Sequence, residues 1–304
     1  MPLVSLQHAQ HQTPIAMTDI DGSNQSGEGM EAQVTTMRLG RPIALGRTAE
    51  VYAWEEGYIV KLFRDWMPVG WVDNEAQIAR AVYAAGLPVP AIGEVVKVNG
   101  RVGLVYERVA GVSMLEAFRV KPWMLFRYAR ILAQLHVDMH ACAVPELPSQ
   151  RQRLEDRIRE SGVLSAEARE AVLKALDKEP DGDNLCHGDF HPDKVLVTAE
   201  GPVIIDWMDA TRGNPVSDVA RTSLLLSKGA LPPETAVLTR WVIGIMREWF
   251  HKVYLRQYFQ LSLGDQEQLA TWQPVIAAAR LWENITEEKE QLVAQVEAGL
   301  SRYG

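Results

Sequence analysis

The chain has 304 residues, 47% of them apolar, which is enough to bury one large core or two lobes. Its formal net charge of −8 argues against a nucleic-acid surface. No apolar run reaches the length of a transmembrane helix, and the two cysteines show no paired spacing. We therefore expect no membrane partner and a reducing, cytoplasmic location.

The N-terminal third of the chain predicts a small β-rich lobe. Residues 1–32 are polar, lack the apolar core of a signal peptide and are predicted to be a disordered tail. Beyond them, short alternating segments are separated by turns, a helix is predicted over 71–85, and Asn99-Gly100 is a strong hairpin signal. Residues 33–109 should form about five antiparallel strands and one helix.

The rest of the chain is predicted to be mainly helical. Apolar residues recur at helical spacing after Pro122, two amphipathic helices are predicted over 149–161 and 165–178, and helix dominates from Pro215. Two short strands, KVLVT and PVIIDW, interrupt the series. The prediction is an α+β chain in which a second, mainly helical lobe occupies residues 110–304.

Two aspartates accompany these short strands. Asp189 lies in the loop HGDFHPDK before the first strand, and Asp206 ends the apolar run of the second. A short hairpin brings both carboxylates to the same edge of the sheet. Phosphoryl transfer uses such a pair, one carboxylate to orient or deprotonate the attacking hydroxyl and the other to hold Mg²⁺. The alternative is that both are turn formers or helix caps.

The motifs HGDFHP, VIIDW and GNPVSDVA, in this order and spacing, resemble those of the aminoglycoside phosphotransferase family, part of the protein-kinase-like group. The resemblance extends from about Ile43 to the C-terminal helices. It implies a bilobal fold with ATP in the cleft, Asp189 as catalytic base, Asp206 as magnesium ligand and His187 as an anchor of the catalytic loop. Asp218 is expected to cap the helix that follows it, to brace the catalytic loop, or both.

The small lobe contains the residues expected to bind ATP. Lys61 alternates with apolar neighbours in YIVKLF, which predicts that it faces the cleft and neutralises phosphate charge. Glu75, in the first helix, is expected to pair with it. The resemblance further implies that the loop at Gly46 covers the phosphates and that backbone groups near Glu107 and Val109 contact adenine.

The catalytic loop departs from the family at Lys194, where an asparagine that ligates magnesium is usual. A protonated lysine has three donors and no acceptor, so it cannot coordinate a cation. Three consequences are open: the ammonium replaces the lost metal charge, Asp193 supplies the ligand, or the protein is a catalytically impaired, pseudokinase-like nucleotide binder. We expect an active or weakly active kinase, with Lys194 in the catalytic set, because the other four predicted catalytic and ATP-binding side chains are present.

The small-molecule hydroxyl acceptor is expected between the catalytic loop and the C-terminal helices. Aromatic residues recur there near helical spacing, a pattern more typical of a core than of a ligand cage. They are Trp249, Tyr254, Tyr258, Trp272 and Trp282. Four carboxylates could form an acidic rim that favours an amine-bearing acceptor. They are Asp209, Glu283, Glu287 and Glu288.

Overall fold

The computed structural model describes residues 33–35, 39–228, 236–262 and 264–300, so the tail predicted over 1–32 lies outside the described residues. The described chain combines a β-sheet-rich N-terminal region with a mostly helical C-terminal part, and the predicted α+β fold class is confirmed. No described helix combines the length and the apolar content that a bilayer crossing needs.

The N-terminal sheet has six strands where the sequence predicted about five. They are β1 (Gln33–Thr35), β2 (Ala44–Leu45), β3 (Ala49–Ala53), β4 (Tyr58–Phe63), β5 (Ile92–Val98) and β6 (Arg101–Glu107). Their spatial order is β1-β5-β6-β4-β3-β2. Five are joined by antiparallel pairing, whereas β1 pairs with β5 in parallel. Strand β1 has only three residues, QVT, and lies in no apolar run, which is why the sequence did not reveal it.

Both faces of the sheet carry buried apolar side chains, which shows the face on which each strand residue lies. Helix α1 (Val69–Ala84) covers one face, where Phe63 and Leu104 are buried, while Val60 and Leu62 are buried on the other. Because strand residues alternate between faces, Lys61 lies on the α1 side. The predicted hairpin is confirmed at Asn99 and Gly100, which have φ values of 50° and 86°.

Eight helices of the described chain follow the sheet. They are α2 (Met114–Val120), α3 (Leu125–His140), α4 (Gln150–Glu160), α5 (Ala166–Lys178), α6 (Pro215–Lys228), α7 (Val237–Leu261), α8 (Gln266–Arg280) and α9 (Thr286–Leu300). Helix α3 packs on α7, and α8 packs on α6 and α9 around a single large core. Pro122 begins a short 3-10 turn before α3 instead of the helix itself.

Short strands between the helices position the loops of the cleft. They are β7 (Val112–Ser113), β8 (Asn184–Cys186), β9 (Val195–Val197), β10 (Pro202–Ile204) and β11 (Thr211–Gly213). The predicted pair of strands is β9 and β10, which are antiparallel, and β7 adds to the edge of β9. Strand β8 pairs with β11. These two small sheets hold the segment after β8 against the segment after β10.

Candidate active site

Asp189 and Asp206 meet around one ammonium group. The loop after β8 ends in a 3-10 turn, Pro192–Lys194, and the backbone N–H of Ile205 donates to the carbonyl of Lys194 at 2.9 Å. The Lys194 Nζ donates to Asp206 Oδ2 and lies 3.5 Å from Asp189 Oδ2. The hairpin therefore places both carboxylates at the same end of β9 and β10.

Lys61 connects the small lobe to this hairpin. Its Nζ donates to Glu75 Oε1 at 2.7 Å, so the predicted ion pair is present, and to Asp206 Oδ1 at 3.0 Å. Burial acts to lower the pKa of Lys61, but the charges of Asp206 and Glu75 outweigh it and raise that pKa above its ordinary value. Lys61 is therefore a permanent positive charge at the wall of the cleft.

Asp206 is held as a carboxylate by two lysines. Partial burial acts to raise its pKa, but Lys194 and Lys61 outweigh this effect and hold the pKa well below its ordinary value. Its backbone lies in the left-handed region, with φ of 68°, which aspartate tolerates better than most residues. An ionised carboxylate is the kind of oxygen ligand that Mg²⁺ prefers, so this residue fits the predicted metal site.

Asp189 is surrounded by basic side chains. Its carboxylate oxygens lie 3.6 Å from His191 Nε2, 3.5 Å from Lys194 Nζ and 3.6 Å from a guanidinium nitrogen of Arg221. Burial acts to raise the pKa of Asp189, but these neighbours, His191 foremost, hold it below its ordinary value. Asp189 is therefore ionised at neutral pH and can accept a hydrogen bond from a hydroxyl. The sequence did not single out Arg221, which comes from α6.

His187 anchors the loop through its backbone and both ring nitrogens. Its N–H donates to Asp218 Oδ2 at 2.7 Å, its ring Nε2 donates to the carbonyl of Ile205 at 3.2 Å, and its Nδ1 accepts from the Asp189 N–H at 3.3 Å. The ring is fully buried, and burial lowers its pKa, so it is neutral. This environment suits a structural anchor.

Asp218 braces the catalytic loop, and Asn214 caps the helix. Asp218 Oδ1 accepts from the Gly188 N–H at 2.9 Å, in addition to the bond from His187. The side chain of Asn214 accepts from the N–H of Val216 at 2.8 Å, at the start of α6. Of the two roles open from the sequence, the observed contacts of Asp218 are those of a brace.

A histidine and tyrosine network, missed in the sequence, holds Asp218. His136 and His140 donate from Nε2 to Asp218 Oδ2 at 3.0 and 3.3 Å. Their Nδ1 atoms lie 2.6 Å from the hydroxyl of Tyr254 and 2.7 Å from that of Tyr258. The two histidines and Asp218 are close enough to hold a metal ion, but these hydrogen bonds already use all four ring nitrogens. The available sequence signal was the four-residue spacing within each pair.

The cleft between the lobes has a volume of about 1850 Å³ and is lined by the predicted nucleotide-binding positions. Gly46 lies in the loop between β2 and β3, where its N–H donates to the carbonyl of Ala49 at 2.8 Å. Glu107 ends β6, and Val109 follows it on the cleft wall. The side chain of Glu107 accepts from the N–H of Ala91 at 3.1 Å, which ties down this connection between the lobes.

The acidic rim predicted on the acceptor side is largely neutralised, which corrects that expectation. Three of its four carboxylates are bound to arginines from α4, α6 and α8. The pairs are Asp209 with Arg157 (2.6 Å), Glu283 with Arg221 and with Arg280 (2.9 Å), and Glu288 with Arg280 (2.8 Å). Glu287 remains exposed at the rim. Arg157 is 52 residues from Asp209 and Arg221 is 62 residues from Glu283, so these two pairs could not be predicted, whereas Arg280 is only three residues from Glu283.

The aromatic residues divide between core and surface. Tyr254, Tyr258 and Trp272 are buried, as expected for a core stripe, whereas Trp249 is 54% exposed. Trp282 lines the cleft, lies 5.1 Å from the guanidinium of Arg157 and donates to Glu160 at 2.8 Å. The expectation of a core stripe therefore fails for two of the five.

Solved structures with this fold include small-molecule kinases. A choline/ethanolamine kinase family protein from Mesorhizobium loti is 18% identical, with a TM-score of 0.54 over 88% of this chain and 87% of that one. A thermostable mutant of the aminoglycoside phosphotransferase APH(4)-Ia, in a ternary complex with ADP and hygromycin B, is 14% identical, with a TM-score of 0.60 over 86% and 92%. An amicoumacin kinase in complex with AMP-PNP and Ca²⁺ is 15% identical, with a TM-score of 0.57 over 90% and 91%. At these identities the likeness establishes the fold.

Among curated proteins, none matches the chain significantly. The family model described as the phosphotransferase enzyme family (APH) matches residues 40–244, more than half of the chain. This range includes the N-terminal sheet from β2 onward and the Asp189 and Asp206 hairpin. The resemblance read from the motifs is thereby confirmed, and the chain belongs to the phosphotransferase enzyme family.

Proposed function

We propose that this protein is an ATP- and Mg²⁺-dependent phosphotransferase that moves the γ-phosphate to a hydroxyl of a small molecule. The observation that carries the proposal is the meeting of two ionised carboxylates, Asp189 and Asp206, with the Lys61 ion pair in one cleft. Phosphoryl transfer depends mainly on positioning and on neutralising charge, and this constellation offers both.

The residues present fit the nucleotide and the metal ion. Asp206 would hold Mg²⁺ through carboxylate oxygens, and Lys61 would bind phosphate oxygens. The Gly46 loop would cover the phosphates, and backbone groups near Glu107 and Val109 would receive adenine. Bound ATP supplies the transferable phosphoryl group, and Mg²⁺ neutralises part of its charge.

Asp189 would orient the acceptor hydroxyl and take its proton. Because its pKa is held below the ordinary value, it is a weak base, and orientation is its larger contribution. The brace from Asp218 to the backbone of His187 and Gly188 holds the loop in place. His187 has a positioning role, since its ring nitrogens are both engaged within the loop.

The acceptor is proposed to be a small molecule with a free hydroxyl. Hygromycin B and amicoumacin, bound by two proteins of the same fold, support a small-molecule acceptor over a protein. An amine on the acceptor stays a prediction, and its electrostatic support now rests on Glu287. The other three rim carboxylates are already paired with arginines.

A cytoplasmic location is part of the same proposal. Both cysteines are free thiols, which fits a reducing compartment where ATP is available.

The second candidate is a catalytically impaired nucleotide-binding protein. The observation that favours it is the direct bond from Lys194 to Asp206, the one proposed metal ligand. The two candidates share ATP binding and differ in phosphate transfer.

Replacing the proposed base separates these candidates. In Asp189→Asn, we expect ATP affinity within about threefold of the wild type and turnover lowered at least about 100-fold, because the hydroxyl loses its orienting carboxylate. ATP binding is measured by calorimetry with and without Mg²⁺, and turnover by ADP release over a panel of small-molecule alcohols. Asp177→Asn, on the exposed face of α5, is the matched control and should behave as the wild type. ATP binding by the wild type without transfer to any alcohol would favour the impaired candidate, and no ATP binding would contradict both.

A further inference from the structure

The Lys194 ammonium lies between the two carboxylates of the cleft. Its Nζ donates to Asp206 Oδ2 and is 3.5 Å from Asp189 Oδ2, and its side chain is only 19% exposed. If Lys194 had no role beyond replacing the usual asparagine, its flexible side chain could extend into solvent. This one is directed into the site.

The backbone determines this placement. Lys194 closes the 3-10 turn, where its N–H donates to the carbonyl of His191 at 2.8 Å, and its carbonyl accepts from the Ile205 N–H at 2.9 Å. The next pair in the ladder is Val195 with Ile204. Because Ile205 directly precedes Asp206, the register of the hairpin brings Lys194 to that carboxylate.

A site for two metal ions does not fit the oxygen ligands available. Each oxygen of Asp206 accepts from one ammonium group, Lys61 or Lys194, and keeps a lone pair with which the carboxylate can bind one cation. Among the described residues, the acids within ion-pair distance of Lys194 are Asp206 and Asp189, and Asp193 is not one of them. An ammonium has no lone pair to offer a metal ion, and its charge repels a second divalent cation at this distance.

Building on the proposed function, we propose that Lys194 supplies the positive charge of a second metal ion, so that the nucleotide complex holds a single divalent cation with Asp206 as its ligand. A compact ammonium with three donors is suited to phosphate oxygens as a point charge. Lys194 is then a nucleotide-binding residue, Asp193 is not a replacement ligand, and the ammonium of Lys194 keeps a positive charge where the second divalent cation would lie.

Counting metal ions tests this proposal without reference to activity. The full chain is saturated with AMP-PNP, and protein-bound Mn²⁺ is counted by electron paramagnetic resonance during a Mn²⁺ titration. We expect one Mn²⁺ per bound nucleotide in the wild type and two in Lys194→Asn, because the amide oxygen restores a ligand and removes the repelling charge.

A second variant separates charge from geometry. Lys194→Met keeps the length of the side chain but removes its charge, so we expect at most one Mn²⁺ and AMP-PNP affinity lowered about 10- to 100-fold. The matched control is Lys174→Met, whose side chain is 71% exposed on α5 and which should behave as the wild type. Circular dichroism of each variant confirms that it is folded.

The outcomes are distinct. Three results would each overturn the role assigned to Lys194 and leave the phosphotransferase proposal standing. They are two Mn²⁺ ions in the wild type, one ion in both the wild type and Lys194→Asn, and unchanged AMP-PNP affinity in Lys194→Met. A folded wild type that does not bind AMP-PNP would contradict the proposed function as well.

Discussion

Gly188 places the catalytic loop directly against the segment that carries Asp209. Its φ is +76°, and an added Cβ would lie 2.4 Å from the backbone carbonyl oxygen of Asp209, closer than any non-bonded contact allows. Its N–H also donates to Asp218. Glycine is therefore required at position 188 for two reasons, the left-handed backbone and the close approach of the Asp209 carbonyl oxygen.

We expect Gly188→Ala to cost several kcal/mol of stability, because the strain of a left-handed alanine, about 1–2 kcal/mol, adds to a backbone overlap. Gly100→Ala is the matched control, since its φ is +86° but nothing lies within 4 Å of an added Cβ. Gly100→Ala should therefore lose only the stability that the left-handed backbone strain of alanine costs. Urea unfolding of both variants measures the difference, and equal losses would contradict the role of the close approach.

Three helices hold the catalytic loop through one buried carboxylate. Asp218 of α6 lies among His136 and His140 of α3, and Tyr254 and Tyr258 of α7 complete the hydrogen bonds of the histidines. Burial, with a smaller effect of His140, lowers the pKa of His136 to about 3, so its ring is neutral in the folded protein. Burial between α3 and α7 thus keeps His136 neutral, and the neutral ring donates to Asp218.

This neutral histidine predicts a loss of stability in acid. In the unfolded chain His136 has its ordinary pKa of 6.5, so below that pH the unfolded state binds a proton that the folded state does not. The free energy of unfolding should therefore fall as pH drops from 6.5 toward 3, by about 2 kcal/mol at pH 5 from this residue alone. Above pH 6.5 His136 is neutral in both states, so it causes no loss in the free energy of unfolding.

The His136→Gln variant tests this prediction, since glutamine retains a donor but does not titrate. Urea unfolding at pH 7.5 and pH 5.0 should show that the variant loses about 2 kcal/mol less than the wild type between the two values. His187 and His251, whose pKa values are also lowered by burial, are present in both proteins and contribute equally. An identical loss in both proteins would contradict the prediction, because it would show that His136 takes up its proton over the same pH range in the folded and unfolded states.

The two lobes meet through both apolar and polar contacts, and Ile78 and Val82 of α1 are buried in the core of the C-terminal helices. Lys61 of β4 reaches Asp206 beyond β10, and the Ile204 N–H donates to the carbonyl of Pro88 at 2.7 Å. A ligand in the cleft that contacts both lobes adds to these connections. Its binding free energy should appear as stability of the whole molecule.

AMP-PNP with Mg²⁺ should raise the free energy of unfolding by about 2.7 kcal/mol at 100 times its dissociation constant. AMP at the same concentration should stabilise less, because it lacks the phosphates that Lys61 would bind. Thermal unfolding midpoints measure both effects. Lys61→Met should reduce the advantage of AMP-PNP, whereas Lys97→Met, an exposed lysine of the same sheet, should retain it. Equal stabilisation by AMP and AMP-PNP would contradict the predicted phosphate site.

Local signals predicted most of the architecture. Alternation in YIVKLF identified β4 and the side of the sheet to which Lys61 belongs, Asn99-Gly100 identified a hairpin, and helical periodicity identified α4 and α5 nearly to their ends. Strand β1 and the short strands β7, β8 and β11 escaped prediction, because each has two or three residues and none lies in an apolar run like those that identified β9 and β10. These short strands nevertheless align the loops of the cleft.

The sequence by itself determined the family, the fold class and the candidate catalytic residues, because residue type and spacing carry that information. Only the tertiary structure showed that Asp218 braces the loop, that Asp209 and Glu283 are neutralised by arginines, and that Lys194 contacts both candidate catalytic carboxylates. Most of these contacts join partners 12 to 62 residues apart in the chain, such as Lys194 with Asp206 and Arg221 with Glu283. Electrostatic environment is a property of such contacts, and no local pattern specifies which charges will meet.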